Sequence, residues 1–390
     1  MARPAAALRG GSRARRCRAA GRRGGAGGAG ALGLVSVQLA ERAYPVLIGS
    51  GALQELPRRL REKAASSAAV VSDSNVAGEW GEAVVAGLTG VGIRSQLHVV
   101  RPGEQAKSLS ELSGVLDFME LFGLDRWGVV VALGGGTVGD LAGFAAAVWQ
   151  RGVRYVQVPT TLLAMVDASV GGKTGVNSKR SKNSIGAVWQ PLAVFSDLTT
   201  LRTLPEAEYL AAFGEIVKYA VSLDRDLAET LRLQAPALRE RDLTALESVV
   251  TRGIELKAQV VAADEREAGP REVLNYGHTV GHALEIASDF AIPHGRAVAV
   301  GLRAAARLGV ECCGCPQSVV EVQDELLAAF GLPGDLPPVR ESEVLAALPR
   351  DKKAREGRLR WVLPRELGKV QVGVSVPATA VERVVHEVLS

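Results

Sequence analysis

Histidine spacing is the first feature of this chain that suggests chemistry. Three of its five histidines, His278, His282 and His294, fall within seventeen residues. His278 and His282 are four residues apart and would share one helix face, as a zinc-binding pair does, but Thr279 replaces the glutamate of the HExxH metalloprotease motif. The alternative is a hydrogen-bonded pair of core histidines. A third histidine and a helical acid, Glu215, make a three-ligand metal site the competing interpretation.

A lysine accompanies that acid in an otherwise apolar helical segment. Glu215 and Lys218 are i, i+3 neighbours in the run from Ala211 to Ala220. Charged side chains in such surroundings need partners when they are buried. A metal ion and an anionic ligand would supply them.

A glycine-rich turn, Leu133–Asp140, follows the clearest predicted strand and leads into an Ala/Gly-rich helix. Its three consecutive glycines would let the backbone approach a pyrophosphate, and the helix N-terminus would offer free N–H groups. The turn is not GxGxxG, so a tight structural turn is the alternative. Three further polar loops follow predicted strands: Asp73–Asn75, Pro102–Lys107 and Pro159–Thr161. Because ligands collect at the carboxyl edge of parallel strands, these loops together predict a nucleotide site.

A polar, glycine-rich and cationic segment, Asp167–Asn183, predicts a flexible loop for an anionic substrate. A solvated surface loop is the alternative. The segment resembles a phosphate-binding P-loop only in part, because Asp167 stands where the first glycine of GxxxxGK[ST] belongs.

The elements that must position these residues change in type along the chain. Short apolar runs predict buried parallel strands at Ala68–Ser72, Gln96–Val100, Gly128–Leu133, Val153–Val158 and Ala193–Ser196. Helical spacing follows at Leu204–Leu223, Asp242–Ala263, His278–Ser288 and Arg296–Leu308, and a small strand pair is expected at Arg358–Leu363 and Lys369–Val376. We therefore expect an α/β N-terminal nucleotide-binding domain with a mainly parallel sheet, followed by a mainly α-helical metal-binding domain.

Length and charge agree with two domains. A chain of 390 residues is longer than one ordinary hydrophobic core supports. We place a disordered Arg/Gly/Ala-rich tail at 1–34, an α/β domain at 35–203 and a helical domain at 204–390. Residues 1–30 hold eight arginines and no acid, which leaves 38 basic and 42 acidic groups elsewhere. The formal net charge of +4 therefore belongs to the tail and gives no argument for a nucleic-acid partner.

Composition also indicates where in the cell the protein is located. No apolar stretch reaches the 18 or more residues of a membrane helix, and the tail lacks the apolar region of a secretory signal. Four cysteines do not form a disulfide framework, and the pair Cys312 and Cys315 lacks the second CxxC of a structural zinc site, so we expect small buried thiols on a helix in a reducing compartment. We predict a cytoplasmic location, with a plastid as the alternative if the tail is a transit peptide.

Taken together, these motifs resemble the 3-dehydroquinate synthases, which are zinc- and NAD-dependent sugar phosphate cyclases of the shikimate pathway. The resemblance covers about Val35 to Val376. It is carried by PGEQAK, LGGGTVGD, QRGVRYVQVPTTLLAMVDASVGGKTGVN, GEIVKY, KAQVVAADERE, LNYGHTVGHALE and DKK. The family usually has Gly-Glu after its third zinc ligand, whereas Arg296 occupies the acid position here.

The resemblance implies three sets of site residues. The metal ligands would be Glu215, His278 and His294, which makes His282 a substrate-side group. Catalytic residues would be Lys173, Lys218, Arg271, Asn275 and His282, and substrate-binding residues would be Arg151, Asp167, Asn183, Lys257, Lys352 and Lys353, with Glu267 as a charge-balancing neighbour. The cofactor site would comprise Asp73, Asn75, Pro102, Gly103, Glu104, Gln105, Ala106, Lys107, Gly135, Gly136, Thr137, Val138, Gly139, Asp140, Thr160, Thr161, Lys173, Lys182, Thr200, Leu201, Arg202 and Thr203.

The implied reaction converts a seven-carbon phosphorylated keto acid to 3-dehydroquinate. Transient oxidation by bound NAD is followed by elimination of phosphate, for which the substrate's own phosphate would serve as base, then by reduction and aldol closure. Zinc or cobalt would bind the substrate hydroxyls, and a homodimer is expected. Alternatives are another cyclase, making aminodehydroquinate, an inosose or a valiolone, a metal-dependent polyol dehydrogenase, or a binding-only relative that has lost catalysis.

Overall fold

The computed structural model describes residues 32–40, 42–178, 181–267, 269–348 and 359–390. Most of the predicted tail, Cys17, and the predicted substrate residues Lys352 and Lys353 lie outside these ranges.

A seven-stranded sheet forms the N-terminal half of the molecule. The strands of the chain are β1 (Gly33–Gln38), β2 (Ala43–Gly49), β3 (Ser67–Asp73), β4 (Arg94–Val100), β5 (Val129–Gly134), β6 (Arg154–Pro159), β7 (Lys173–Val176), β8 (Ile185–Val188), β9 (Val194–Asp197), β10 (Trp361–Glu366) and β11 (Lys369–Val374). The sheet has the order β1-β2-β9-β6-β5-β3-β4, in which β1 is antiparallel to β2 and every other neighbouring pair is parallel. The predicted mainly parallel sheet is confirmed.

Burial along the strands follows their place in the sheet. β3 and β5 lie in its interior and every residue in them is buried, as their continuous apolar sequences predict. β4 was predicted to be covered on both faces in the same way, and this is wrong. It is the edge strand, and only Val100 of its seven residues is fully buried.

Four helices accompany the sheet: α1 (Glu55–Glu62), α2 (Glu82–Gly90), α3 (Leu109–Phe122) and α4 (Gly136–Val148). α3 begins at a Ser108 cap, whose hydroxyl accepts the Glu111 N–H, and ends at Gly123 in the left-handed region with φ 69°. α4 follows β5 after a single residue, Gly135, so its free N–H groups open directly at the carboxyl edge of the sheet.

The C-terminal half is mainly helical, as predicted. Its helices are α5 (Glu206–Ala211), α6 (Phe213–Ser222), α7 (Arg225–Arg239), α8 (Leu243–Ala263), α9 (His278–Ala287), α10 (His294–Cys313), α11 (Gln317–Ala329), α12 (Glu341–Ala347) and α13 (Ala378–Leu389). The strands β10 and β11 form the expected antiparallel pair. One apolar core joins these helices to β1 and β2, with Val35 and Tyr44 in the same cluster as Phe213 and Val298.

The single helix predicted over Leu204–Leu223 is wrong, because the chain breaks at Ala212 between α5 and α6. The first turn of α10 packs against this break. A Cβ on Gly295 would lie 1.9 Å from the Ala211 carbonyl oxygen, and one on Gly214 would lie 2.2 Å from the Gly295 carbonyl oxygen. Two glycines therefore permit backbone contact at the point where α6 and α10 meet.

The predicted flexible loop Asp167–Asn183 is partly ordered structure. Asp167 lies in a short π-helical turn, Ala164–Ala168, and Lys173–Val176 forms β7, which pairs antiparallel with β8. The expectation of an entirely loop-like segment is therefore wrong.

Within the described part of the chain, no helix is both long and apolar enough to cross a membrane. Cys312, Cys313 and Cys315 are free thiols at the end of α10 and in the turn that follows, and Cys315 alone is fully buried.

Candidate metal and nucleotide site

Three helices bring one carboxylate and two imidazoles together. Glu215 lies in the first turn of α6, His278 begins α9 and His294 begins α10. Nε2 of His278 lies 3.2 Å from Oε1 of Glu215, and Nε2 of His294 lies 3.3 Å from the same oxygen. Zinc bonds of about 2.0–2.1 Å place two donors of a tetrahedral site about 3.3–3.4 Å apart. The donor spacing in this cluster therefore fits a zinc-sized ion.

Hydrogen bonds on the far side of each imidazole set its orientation. Nδ1 of His278 donates to the Tyr276 carbonyl oxygen at 3.1 Å, and Nδ1 of His294 donates to Oε2 of Glu285 at 3.1 Å. Each ring therefore carries a proton on Nδ1 and turns Nε2 toward Glu215. This is the arrangement that a neutral histidine needs to bind a metal through Nε2.

Glu215 is fully buried and carries the negative charge of the cluster. Within the described residues, neither of its carboxylate oxygens receives a hydrogen bond of normal geometry, although Lys218 and both histidines lie in ion-pair contact. A buried acceptor in this condition is costly unless a cation lies against it. Lys218 supplies one such cation at Oε2, and a metal ion at Oε1, which both histidines face, would supply a second.

The pKa shifts in the cluster have identifiable causes. Burial acts to raise the pKa of Glu215, but Lys218 and His278 outweigh it and hold that pKa well below its usual range. Burial lowers the pKa of His278. At His294 burial also acts to lower the pKa, but the nearby carboxylates of Glu215 and Glu285 prevail and raise it to about 10. Neighbouring cations thus keep Glu215 ionised, and two carboxylates favour the protonated form of His294.

A second buried network lies beside this cluster and contains a residue that the sequence interpretation missed. Nζ of Lys257 donates to the carbonyl oxygen of Asp167 at 2.5 Å and to its Oδ1 at 2.7 Å. The Tyr219 hydroxyl donates to the same Oδ1 at 2.6 Å, and the ammonium of Lys218 lies 4.5 Å from the centroid of the Tyr219 ring. Tyr219 stands in the GEIVKY motif, one position after Lys218, which was the available signal.

Burial and neighbouring charges compete to set protonation in this network. Burial acts to raise the pKa of Asp167, but Lys257 and Lys218 outweigh it and lower that pKa. Burial lowers the pKa of Lys257 despite the opposing effect of Asp167. Burial and the neighbouring acids raise the pKa of Tyr219 well above 10, so its phenol keeps the proton that it donates.

A short 3-10 turn, Pro270–Asn275, presents two further predicted residues. Asp264, at the end of α8, accepts the main-chain N–H of Arg271 at 3.2 Å, and the Arg271 guanidinium donates to the Glu265 carbonyl oxygen at 2.8 Å. Glu267 pairs with Lys173 and lies 3.5 Å from Nδ2 of Asn275. His282 packs edge-on against His278, with ring centroids 5.2 Å apart.

The predicted cofactor residues lie mainly at the carboxyl edge of the parallel strands. Asp73 ends β3, the turn Glu104–Ala106 follows β4, Gly135 and Gly136 follow β5, Thr160 and Thr161 follow β6, and the turn Leu198–Arg202 follows β9. Connections leave β3 and β5 toward opposite sides of the sheet, which makes this edge a topological switch point. Nζ of Lys107 pairs with Oδ2 of Asp140 at 2.6 Å, and the Thr160 hydroxyl has no hydrogen-bond partner among the described residues.

Asn177 is another residue that the sequence interpretation missed. It connects the segment after β4 to the segment after β7. Its side chain donates to Oε1 of Glu104 at 2.8 Å and accepts the Asn183 N–H at 2.8 Å, while its own N–H donates to the Lys107 carbonyl oxygen at 2.9 Å. Lys182 lies on the helical side, 3.0 Å from Oε1 of Glu285.

Arg151 is a predicted substrate residue that lies away from the site of its own chain. It follows α4, whose N-terminus opens at the nucleotide edge. The thirteen residues of α4 span about 20 Å, so Arg151 lies at the opposite end of the sheet.

Comparisons with known proteins point to one family. The family profile described as 3-dehydroquinate synthase N-terminal matches residues 97–211, and that described as 3-dehydroquinate synthase C-terminal matches residues 212–354. The 3-dehydroquinate synthase of Caulobacter vibrioides is 44% identical over 358 residues, which are 89% of this chain and 96% of that protein.

Two solved structures share the fold over most of the chain. A 2-deoxy-scyllo-inosose synthase, complexed with carbaglucose-6-phosphate, NAD+ and Co2+, has a TM-score of 0.85 at 26% identity and covers 91% of this chain and 100% of its own. The 2-epi-5-epi-valiolone synthase of Streptomyces hygroscopicus, with NAD+ and Zn2+ bound, has a TM-score of 0.80 at 27% identity and covers 90% and 98%.

With the fold of these two synthases and a carboxylate–histidine cluster between its helices, the molecule is of the sugar phosphate cyclase class. The two profiles and the higher identity to the Caulobacter enzyme then decide the family within that class. The chain belongs to the 3-dehydroquinate synthase family.

Proposed function

We propose that the chain converts 3-deoxy-D-arabino-heptulosonate 7-phosphate to 3-dehydroquinate and phosphate, in the shikimate route to aromatic amino acids. It would act as a phosphate-eliminating lyase that depends on NAD and on zinc or cobalt. The observation that carries the proposal is the meeting of Glu215, His278 and His294 beside a buried group of lysines, Lys218 and Lys257. Family membership supplies the reaction.

Glu215, His278 and His294 would hold the divalent ion, because their donor spacing and tautomers fit it. When bound, the ion would supply Lewis acidity toward the substrate hydroxyls and NAD would supply a hydride acceptor. The protein's own part is to hold, orient and neutralise the anionic substrate.

Cationic and amide side chains around the cluster would perform that part. Lys173, Lys218, Arg271, Asn275 and His282 are proposed as the catalytic set. Burial of Arg271 and Lys218 strengthens their attraction for carboxylate or phosphate, since water does not screen them. Asp167 and Tyr219 would orient Lys257, and Asn183 would contribute from the segment after β7.

The nucleotide edge is proposed as the NAD site. Asp73 suits the ribose hydroxyls, and the N-terminus of α4 with Gly135 and Gly136 suits the pyrophosphate. The remaining cofactor residues named from the family resemblance are proposed with these roles.

Arg151 would reach a substrate only from a second copy of the chain, because α4 carries it away from the site of its own chain. We therefore propose a homodimer in which each copy completes the other's site. Lys352 and Lys353 remain proposed substrate residues outside the described ranges.

Domain limits and location are proposed as well. The α/β unit would span 35–203 and the helical unit 204–390, with the substrate between them. We propose a cytoplasmic location. The relatives come from bacteria, which have no plastids, so they give no support to the plastid alternative.

Another cyclase is the nearest alternative, and identity separates the two: 44% to a 3-dehydroquinate synthase against 26% and 27% to the inosose and valiolone synthases. A polyol dehydrogenase would release NADH, and a binding-only relative would lack the ligand set that is present here.

The test incubates purified chain with Zn2+, NAD+ and the seven-carbon phosphorylated keto acid. Phosphate release without net NADH is expected. Steady NADH accumulation, or no release of phosphate, would contradict the proposed reaction.

A further inference from the structure

Glu285 is a buried acid that neither the sequence interpretation nor the proposed reaction uses. It lies in α9, and its side chain is only 6% exposed. Both of its carboxylate oxygens are engaged, one with His294 and the other with Lys182.

The His294 ring is held between two carboxylates. Nε2 lies 3.3 Å from Oε1 of Glu215, and Nδ1 lies 3.1 Å from Oε2 of Glu285. His294 is the more exposed of the two histidines in the cluster, at 31% against 12% for His278. Because packing constrains it less, the bond to Glu285 decides where its Nε2 points.

The other oxygen of Glu285 faces a different part of the molecule. Nζ of Lys182 donates to Oε1 at 3.0 Å and lies 4.1 Å from the centroid of the Phe290 ring. Lys182 belongs to the segment after β7 that also carries Asn183. One carboxylate therefore connects a metal-cluster histidine to the segment proposed to bind cofactor and substrate.

We propose that Glu285 is a positioning residue that fixes His294 for metal binding and couples metal affinity to the placement of Lys182. This rests on the proposed metal site. Glu285, His282 and His294 also offer donors within 4.8 Å of one another, which would suit a ligand role instead. Positioning is favoured because both oxygens of Glu285 already accept hydrogen bonds, whereas those of Glu215 receive none of normal geometry.

The experiment measures Zn2+ affinity of the metal-free chain by competition with a chromophoric chelator, together with the visible spectrum after loading with Co2+. Glu285→Gln keeps the size of the side chain and removes its charge. We expect about 10–100-fold weaker Zn2+ binding, an altered Co2+ spectrum and one ion per chain. Lys182→Met should weaken binding less, and its effect should disappear in the double variant.

Asp224→Asn is the matched control, because Asp224 is similarly buried, lies at the N-terminus of α7 away from the cluster, and pairs with Arg252 of α8. It should leave Zn2+ affinity unchanged. If Glu285→Gln does not fold, Glu285→Asp is measured in its place, and the shorter acid should also weaken binding because it cannot reach both partners.

Unchanged Zn2+ affinity in Glu285→Gln would overturn the proposal. So would a loss of metal as complete as that in His278→Ala, or a drop from two ions per chain to one, since either would make Glu285 a ligand. Additive effects of the Lys182 and Glu285 changes would refute the coupling. A wild-type chain that binds Zn2+ without turnover would contradict the proposed function alone, and one that binds no Zn2+ would overturn both.

Discussion

At the scale of single residues, the two helix-neighbour histidines have different environments. Nε2 of His278 faces the Glu215 carboxylate, whereas the His282 ring lies perpendicular to the His278 ring with the centroids 5.2 Å apart. The i, i+4 spacing by itself leaves a shared metal site open. The contacts favour His278 over His282 as the proposed ligand beside Glu215.

His278→Ala is therefore expected to lose bound metal, whereas His282→Ala should keep the metal and lose turnover. The reason is that only the first change removes a donor from the Glu215 cluster. The metal content per chain after dialysis checks the predicted metal loss, and phosphate release checks the predicted loss of turnover. Equal loss of metal from the two variants would reject this ligand assignment.

Tyr219→Phe tests the buried network around Asp167. The change deletes a hydroxyl that donates to a carboxylate, so the free energy of unfolding should fall by about 1.5–3 kcal/mol, as for hydrogen bonds to charged groups. The measurement is urea unfolding, and kcat/KM should fall with it because Asp167 orients Lys257.

Tyr276→Phe is the control for that change. The Tyr276 hydroxyl is as deeply buried but donates to a neutral partner, Oε1 of Gln323, so a smaller loss of about 0.5–1.5 kcal/mol is expected. A loss from Tyr219→Phe no larger than this would argue against a charged partner.

At the scale of elements, the site depends on the contact between α6 and α10. α6 is buried along its whole length and carries Glu215, while α10 begins with His294. Gly214 and Gly295 let the two helices approach at backbone distance. The separation between the two proposed ligands therefore depends on the glycines beside them.

Gly295→Ala should push the helices apart, because its Cβ would meet the Ala211 carbonyl oxygen. We expect about 1–3 kcal/mol of lost stability, as for an overpacked core, together with weaker Zn2+ binding. Gly114→Ala in α3 is the control: nothing lies near its Cβ, and it should gain about 0.5–1 kcal/mol with metal affinity unchanged. Normal Zn2+ affinity in Gly295→Ala would show that this contact does not set the ligand spacing.

At the scale of the whole molecule, the direction of α4 separates Arg151 from the site of its own chain. The helix begins at the nucleotide edge and delivers Arg151 to the other end of the sheet. A substrate role for this residue therefore requires a second copy.

Mixing inactive Arg151→Ala and His278→Ala chains should restore activity. In a twofold dimer, each mixed pair has one site with both residues intact, so an equal mixture should approach about a quarter of wild-type phosphate release. Each variant alone is the control. No recovery after confirmed subunit exchange would remove Arg151 from the shared site.

The sequence by itself determined the types of chemistry and the local elements. Apolar runs placed β3, β5, β6 and β9 to within about two residues, Asp242 marked the start of α8, and the motifs led to the family. These features depend on neighbours within a few positions along the chain, and such neighbours are readable from spacing.

Only the tertiary structure decided which distant residues meet. In the structure the predicted helix is interrupted at Ala212, and α10 begins at His294. The structure also places Tyr219, Asn177 and Glu285 among the site residues. Tyr219 reaches Asp167 across 52 positions and Lys182 reaches Glu285 across 103. Contacts at such separations arise from how helices and sheet pack in space, and no local periodicity encodes that packing.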